Sequence, residues 1–244
     1  MNIATFGSCL SRYTASHYTK LFGGKIISSV YHNRSDAFVG KFIDKNWKDI
    51  EFDVLSSFLS KSTEDLNVDN LPINILKNQY EEWMGLHGLK KGIPFIESVN
   101  NKLIDFVIMD NYMDLSARLM QHESSAKFFL RPKDIFINKE GWVKGDFLDP
   151  VEGASGMLKI VNFIRSKSPK TKILFINFPF NTYLESMERV ERTKAYENLF
   201  SEYDIRSIPC LSIHESFQTK DKQHFKPQQY AGYAGMAYQI INNH

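Results

Sequence analysis

The chain opens on a short apolar run, Asn2 to Phe6, whose lack of polar alternation predicts a strand buried on both faces. From Leu10 the apolar spacing turns helical. Leu10, Tyr13, Thr14, His17, Tyr18, Leu21 and Phe22 fall on one face, and Gly23-Gly24 ends the helix. Lys25 to Val30 predicts a second strand, with "YHNRSDAFVG" as a loop at its carboxyl end. From about Trp47 to Leu89 the pattern is helical but broken. Asp69-Asn70-Leu71-Pro72 reads as a helix start, and Gly85, Gly88 and Gly92 punctuate the end.

Further on, "KLIDFVIMD" predicts a third strand bounded by Asp110-Asn111. "KFFLRPKDIFINKEGWVKGDFLDP" alternates as a small hairpin does, with its turn at Asn138-Lys139-Glu140-Gly141. A helix from about Glu152 to Ser166 leads into the strand "KTKILFINFP". Tyr183 to Tyr203 reads as a helix, "IRSIPCLSI" as the last strand, and Lys226 to Asn243 as the closing helix, with Pro227 in its first turn. Strands that alternate with helices predict a three-layer α/β/α fold with a mainly parallel sheet, whose ligands bind beyond the carboxyl ends of the strands. The expected organisation is one domain over residues 1–244, with a helical insertion at about 44–91.

Composition narrows the picture. With 43% hydrophobic and 24% charged residues, the 244-residue chain has the make-up of a protein with a real core. A net charge of +2 without any dense basic tract argues against nucleic acid as a partner. No apolar run reaches the ~18 residues that a bilayer span needs, and the first residues lack the layout of a secretory signal. The two cysteines, Cys9 and Cys210, do not make a disulfide framework, so a reducing, cytoplasmic location with free thiols is the expectation. No C-x-x-C, H-E-x-x-H, P-loop or G-x-G-x-x-G motif is present, and no histidine, cysteine and carboxylate spacing fits a common metal site.

Two short stretches carry candidate chemistry. In Gly7-Ser8-Cys9, glycine permits a sharp bend, and two possible nucleophiles then stand at a helix start. The unpaired N–H groups and partial positive charge of such a start stabilise a thiolate or an oxyanion. The same turn also reads as a serine N-cap with a small buried cysteine behind it. In Asp221-Lys222-Gln223-His224, a carboxylate three residues before an imidazole is able to fix its tautomer and leave the other nitrogen as a base. The plainer alternative is a solvated Asp and a helix-capping His.

Together the two stretches resemble the SGNH, or GDSL-type, hydrolase superfamily. That family places its nucleophile in a G-D-S-L turn after the first strand and its Asp and His in a D-x-x-H loop before the last helix. On this pattern Cys9, rather than Ser8, occupies the nucleophile position, with His224 and Asp221 as base and orienter. "FGSCLSR" more closely resembles an SGNH-like branch of bacterial proteins found with polysaccharide biosynthesis. The resemblance implies Asn111 as an oxyanion donor, in the place of the family's G-x-N-D asparagine; Asp110-Asn111 reads equally well as a helix cap. No glycine donor is identifiable after the second strand, where Ser35 and Gly40 are the only options. Gly7, Arg12, Asn33, Arg34 and Asn177 lie where substrate would be met, although Asn177 and Asn181 also suit turn chemistry around Pro179. His17 reads as a core histidine, and His214 is a possible substitute for His224.

The resemblance further implies acyl, in particular acetyl, transfer to a sugar hydroxyl in surface-polysaccharide (capsule) assembly. No permanently bound cofactor is expected; acyl-CoA would be the donor and a saccharide or glycan precursor the acceptor. An esterase or deacylase acting on acylated carbohydrate, and a non-catalytic carbohydrate-binding protein that keeps the fold, are the alternatives.

Overall fold

The computed structural model describes residues 1–59, 71–131, 141–183, 185 and 187–242. In chain order the elements are β1 (Asn2–Gly7), α1 (Cys9–Phe22), β2 (Lys25–Tyr31), α2 (Ser35–Phe38), α3 (Phe52–Ser56), α4 (Pro72–Lys77), α5 (Phe95–Asn100), β3 (Phe106–Asp110) and α6 (Tyr112–Ser116). They continue with β4 (Arg118–His122), β5 (Lys127–Phe128), β6 (Trp142–Phe147), α7 (Pro150–Lys167), β7 (Lys172–Ile176), α8 (Met187–Glu202), β8 (Ser207–Ile208) and α9 (Pro227–Asn242).

Five strands form a parallel sheet in the order β2-β1-β3-β7-β8. All five residues of β3 are buried, as expected of a central strand covered on both faces. The register shows how the layers form. Phe106 and Met109 lie three apart on β3, so they face opposite ways. Phe106 meets Tyr18 of α1, whereas Phe175, the β7 partner of Met109, meets Tyr196 and Phe200 of α8. Helices α1 and α8 therefore cover opposite faces, and α9 packs beside α1. After β1 the chain turns to one side for β2 and to the other for β3. That change of direction leaves a crevice beyond the carboxyl ends of β1 and β3.

Several expectations shift. On α1 the residues against the sheet are Leu10, Ser11, Thr14, Ala15 and Tyr18. Tyr13, Leu21 and Phe22 are 42%, 56% and 40% exposed, because small Ser11 and Ala15 permit the close approach to the sheet. Tyr13 and Phe22 instead line the seam with α9, through Tyr230 and Tyr238. Among the described residues β4 stands between β5 and β6 in a three-stranded antiparallel sheet, and residues 132–140, which hold most of the expected hairpin's first arm and its turn, lie outside them. The last strand is only two residues long, and α5 was not signalled by the pattern.

The helix start at Pro72 is present, with Asp69 and Asn70 outside the described residues. The segment holding α3 and α4 shares a small apolar cluster with β5, centred on Leu55, Leu76 and Phe128. It is tied to β2 by Ser29 N–H donating to Gly85 O at 2.6 Å. Among the described residues no helix is long and apolar enough to cross a membrane.

Candidate active site

The turn after β1 is built around a buried carboxylate. Asp110, at the end of the neighbouring strand β3, accepts through Oδ2 from Ser8 N–H (2.8 Å), Ser8 Oγ (3.0 Å) and Ser11 N–H (3.0 Å). Its Oδ1 accepts from Tyr112 N–H at 3.0 Å, so one side chain caps both α1 and α6. Burial pushes the Asp110 carboxyl up, against the pull of these hydrogen bonds. Gly7 makes the approach possible. Its φ is +147°, and a Cβ there would lie 2.5 Å from Asp110 Oδ2. Ser8 is the N-cap of α1. Its hydroxyl donates to Asp110 and accepts from Leu10 N–H at 3.1 Å, and the residue is 8% exposed. Cys9 follows as the first residue of the helix, half-buried and outside any disulfide.

The second stretch lies in the loop that leads to α9. His224 Nδ1 is 2.5 Å from Asp221 Oδ2. Asp221 Oδ1 also accepts from the N–H groups of Gln223 and His224, both at 3.0 Å. Burial would raise the Asp221 carboxyl, but the His224 contact and these backbone donors outweigh it and hold the group well below the usual carboxylate range. Asp221 therefore stays ionised, fixes the proton on Nδ1 and leaves Nε2 of His224 as the free ring nitrogen. Cys9 and His224 line one cavity of about 480 Å³, with Gly7, Ser8, Tyr13 and Gln223 around them. The Tyr13 ring, one turn beyond Cys9, lies 6.2 Å from the His224 ring.

The remaining candidates lie elsewhere. Asn111 is fully buried and is not among the lining residues. Its amide donates to Asn177 Oδ1 (2.8 Å) and accepts from Phe178 N–H (2.8 Å). The cause is register: Asp110 pairs with Ile176, so the asparagines that follow face each other across the strand ends. Asn177 is thereby structural too. Asn33 donates to Tyr31 O and Asn78 O, and Arg34 forms a two-pronged pair with Asp36 at 2.7 Å. Both are held inside the fold and away from the cavity. Arg12 is half-buried and does not line the cavity, although its charge acts on the Tyr31 hydroxyl. Ser35 donates its N–H to Asp114 Oδ1, Asn181 donates to Cys210 O, His17 stacks on Tyr230, and His214 bonds Ser216 outside the cavity.

The residues that replace Asn33 and Arg34 on the wall are Tyr31 and His32, one or two positions earlier. His32 has a φ of +56°, an unusual conformation for a side chain of this size, and it reverses the chain so that Asn33 and Arg34 turn inward. Tyr31 ends β2 directly opposite Gly7. Burial raises the pKa of its hydroxyl well above the ordinary value, with the Cys9 thiol next among the causes, so the phenol remains a donor. Among the described residues no group of three or more His, Cys, Asp or Glu is placed to hold a metal ion.

No protein-family model and no curated protein matches the sequence. Solved structures do. A carbohydrate esterase family 2 enzyme with a carbohydrate-binding domain, from Corynascus thermopiles (Myceliophthora fergusii), superposes with a TM-score of 0.52 at 12% identity. The match covers 100% of this chain and 66% of that one, just under two thirds of its length. The likeness is one of fold, helices on both faces of a mainly parallel sheet. Two looser likenesses are an acetyl xylan esterase from Butyrivibrio proteoclasticus (TM-score 0.47, 11% identity, 99% of this chain and 63% of that one) and Est24, a carbohydrate acetylesterase from Sinorhizobium meliloti (0.46, 11%, 100% and 99%). At these values only the first bears on the fold of this chain.

Proposed function

We propose that the protein is an acyl-processing enzyme in which Cys9 is the nucleophile, His224 the general base and Asp221 the group that orients it. The observation that carries this reading is that Cys9 and an Asp-held imidazole, from opposite ends of the chain, line one cavity. Ser8 is the weaker candidate because its hydroxyl already donates to Asp110 and caps the helix. In the first step the thiol proton passes to His224 Nε2 and the sulfur attacks the acyl carbonyl, whose π pair moves onto oxygen. The amino end of α1 and the Tyr31 hydroxyl are the groups offered to that oxyanion. Collapse expels the leaving oxygen or sulfur, which takes the proton from His224. An acceptor hydroxyl then gives its proton to His224, attacks the thioester and restores the thiol.

With a sugar hydroxyl as acceptor the reaction is acyl transfer, in particular acetyl transfer from acyl-CoA in surface-polysaccharide assembly. With water it is de-esterification of an acylated carbohydrate. The carbohydrate esterase of similar fold favours a saccharide on one side of the reaction, and Tyr13, at the cavity rim, offers a pyranose an aromatic face. Steady-state kinetics test the assignment. Asp221→Asn is expected to lower kcat/KM on an acetyl ester by about 10²–10⁴, the usual worth of a positioned acid–base group, with little change in KM. An unchanged kcat/KM would refute the role of the pair.

A further inference from the structure

The cavity has a second end that the acyl chemistry does not use. Beyond Tyr31 its wall is formed by His32, His87, Phe129 and Arg131. A chain of ring contacts connects it to the nucleophile. The Tyr31 phenol responds to the charge of Cys9, the Tyr31 ring lies 4.3 Å from that of His87, and the His87 ring lies 5.3 Å from that of His32. His32 stacks flat on Phe129 at 5.9 Å.

Charge makes this end distinctive. Three basic side chains, His32, His87 and Arg131, line this end, and among the described lining residues of the cavity there is no Asp or Glu. Among the described residues His32 Nδ1 is buried without a hydrogen-bond partner. Burial, with His87 and Arg131 beside it, pushes the His32 imidazole down to about 3, so the ring is neutral near pH 7 and Arg131 supplies fixed positive charge. The imidazole is held there by a backbone at positive φ, the kind of strain that persists where surrounding structure imposes it and that clusters at binding sites.

We propose that the His32, His87 and Arg131 end of the cavity holds an anionic oxygen group, a carboxylate or a phosphate, carried by the saccharide whose acyl group is processed at Cys9. This rests on the acyl-processing reading and adds a substrate class to it: the saccharide is an acidic one, a uronate or a sugar phosphate. At about 480 Å³ the cavity lies within the range of small-molecule sites and suits a monosaccharide unit that spans both ends.

Isothermal titration calorimetry with glucuronate, glucose 6-phosphate and glucose tests the site without any acyl chemistry. The protein is expected to bind at least one of the anionic sugars at least about tenfold more tightly than glucose, a difference of about 1.4 kcal/mol. Which anion is preferred distinguishes carboxylate from phosphate. Arg131→Gln is expected to abolish the preference, and Arg131→Lys, which keeps the charge, to retain most of it; circular dichroism confirms that each variant is folded. Equal binding of glucose and the anions, no binding of either anion at millimolar concentration, or a preference that survives Arg131→Gln would overturn the proposal. Anion preference without acylation of Cys9 would sink the acyl-processing reading and leave the anion site standing. Acylation without anion preference would do the reverse.

Discussion

Replacing Asp110 with Asn tests how the nucleophile turn is held. The carboxylate faces four donors, three on Oδ2 and one on Oδ1. In the better orientation the amide oxygen of Asn keeps the Ser8 and Ser11 contacts, and the NH₂ then confronts Tyr112 N–H. One buried donor loses its partner, at a cost of about 1–3 kcal/mol. The negative charge at the α1 start is lost as well, which is worth about 0.3–2 kcal/mol. Against that, the burial that pushes the Asp110 carboxyl up is relieved in the neutral amide. These last two effects offset each other, so the unsatisfied donor sets the net loss. For a chain of this size about 2–4 °C of Tm corresponds to each kcal/mol, so a fall of about 2–12 °C is expected by calorimetry. The turn should also loosen, seen as an altered iodoacetamide rate at Cys9 in peptide mapping. An unchanged or raised Tm together with an unchanged Cys9 rate would refute the capping role.

Two further outcomes follow from buried polar groups. Asp114 is buried between Ser35 N–H and the Tyr196 hydroxyl; burial pushes its carboxyl up to about 7, against those two hydrogen bonds. A carboxyl raised in the folded state favours folding when protonated. Its contribution should therefore be full below about pH 4, fall as pH rises and be gone above about 7. Asp114→Asn should flatten that decline in thermal melts across pH 4–8, and an identical pH dependence in wild type and variant would contradict it. Asn111→Ala leaves Phe178 N–H and Asn177 Oδ1 without their Asn111 partners, so it should destabilise by about 2–6 kcal/mol. The kcat/KM of folded protein on an acetyl ester should stay within about threefold, whereas loss of an oxyanion donor would cost about 10²–10³.

The main architecture was legible because parallel strands buried on both faces are mostly apolar runs: β3 and β7 nearly throughout, β1 and β2 broken only by the small hydroxyl residues Thr5, Ser28 and Ser29. The small antiparallel sheet was not. β4 (RLMQH) and β6 (WVKGDF) are half-exposed, polar and short, so β4 leaves no alternation to read. The two ends of the site were also readable, since a glycine turn before a helix and a D-x-x-H loop are local patterns. The wall between them was not local. Asn33 and Arg34 stand in the loop after the second strand, where substrate would be met, yet a positive φ at His32 turns them into the core and leaves Tyr31 and His32 facing the cavity. Asn111 was chosen by motif, and only the β3–β7 register reveals that Asn177 already holds it. His87 and Arg131 reach the cavity from distant segments with no signal of their own.

The central claim, that the Cys9 thiol carries the acyl group, is tested most directly by intact-protein mass spectrometry after incubation with acetyl-CoA and with an acetylated sugar. The account predicts one acetyl group per chain that is labile to hydroxylamine, lost in Cys9→Ala and retained in Ser8→Ala. An adduct that persists in Cys9→Ala would contradict it.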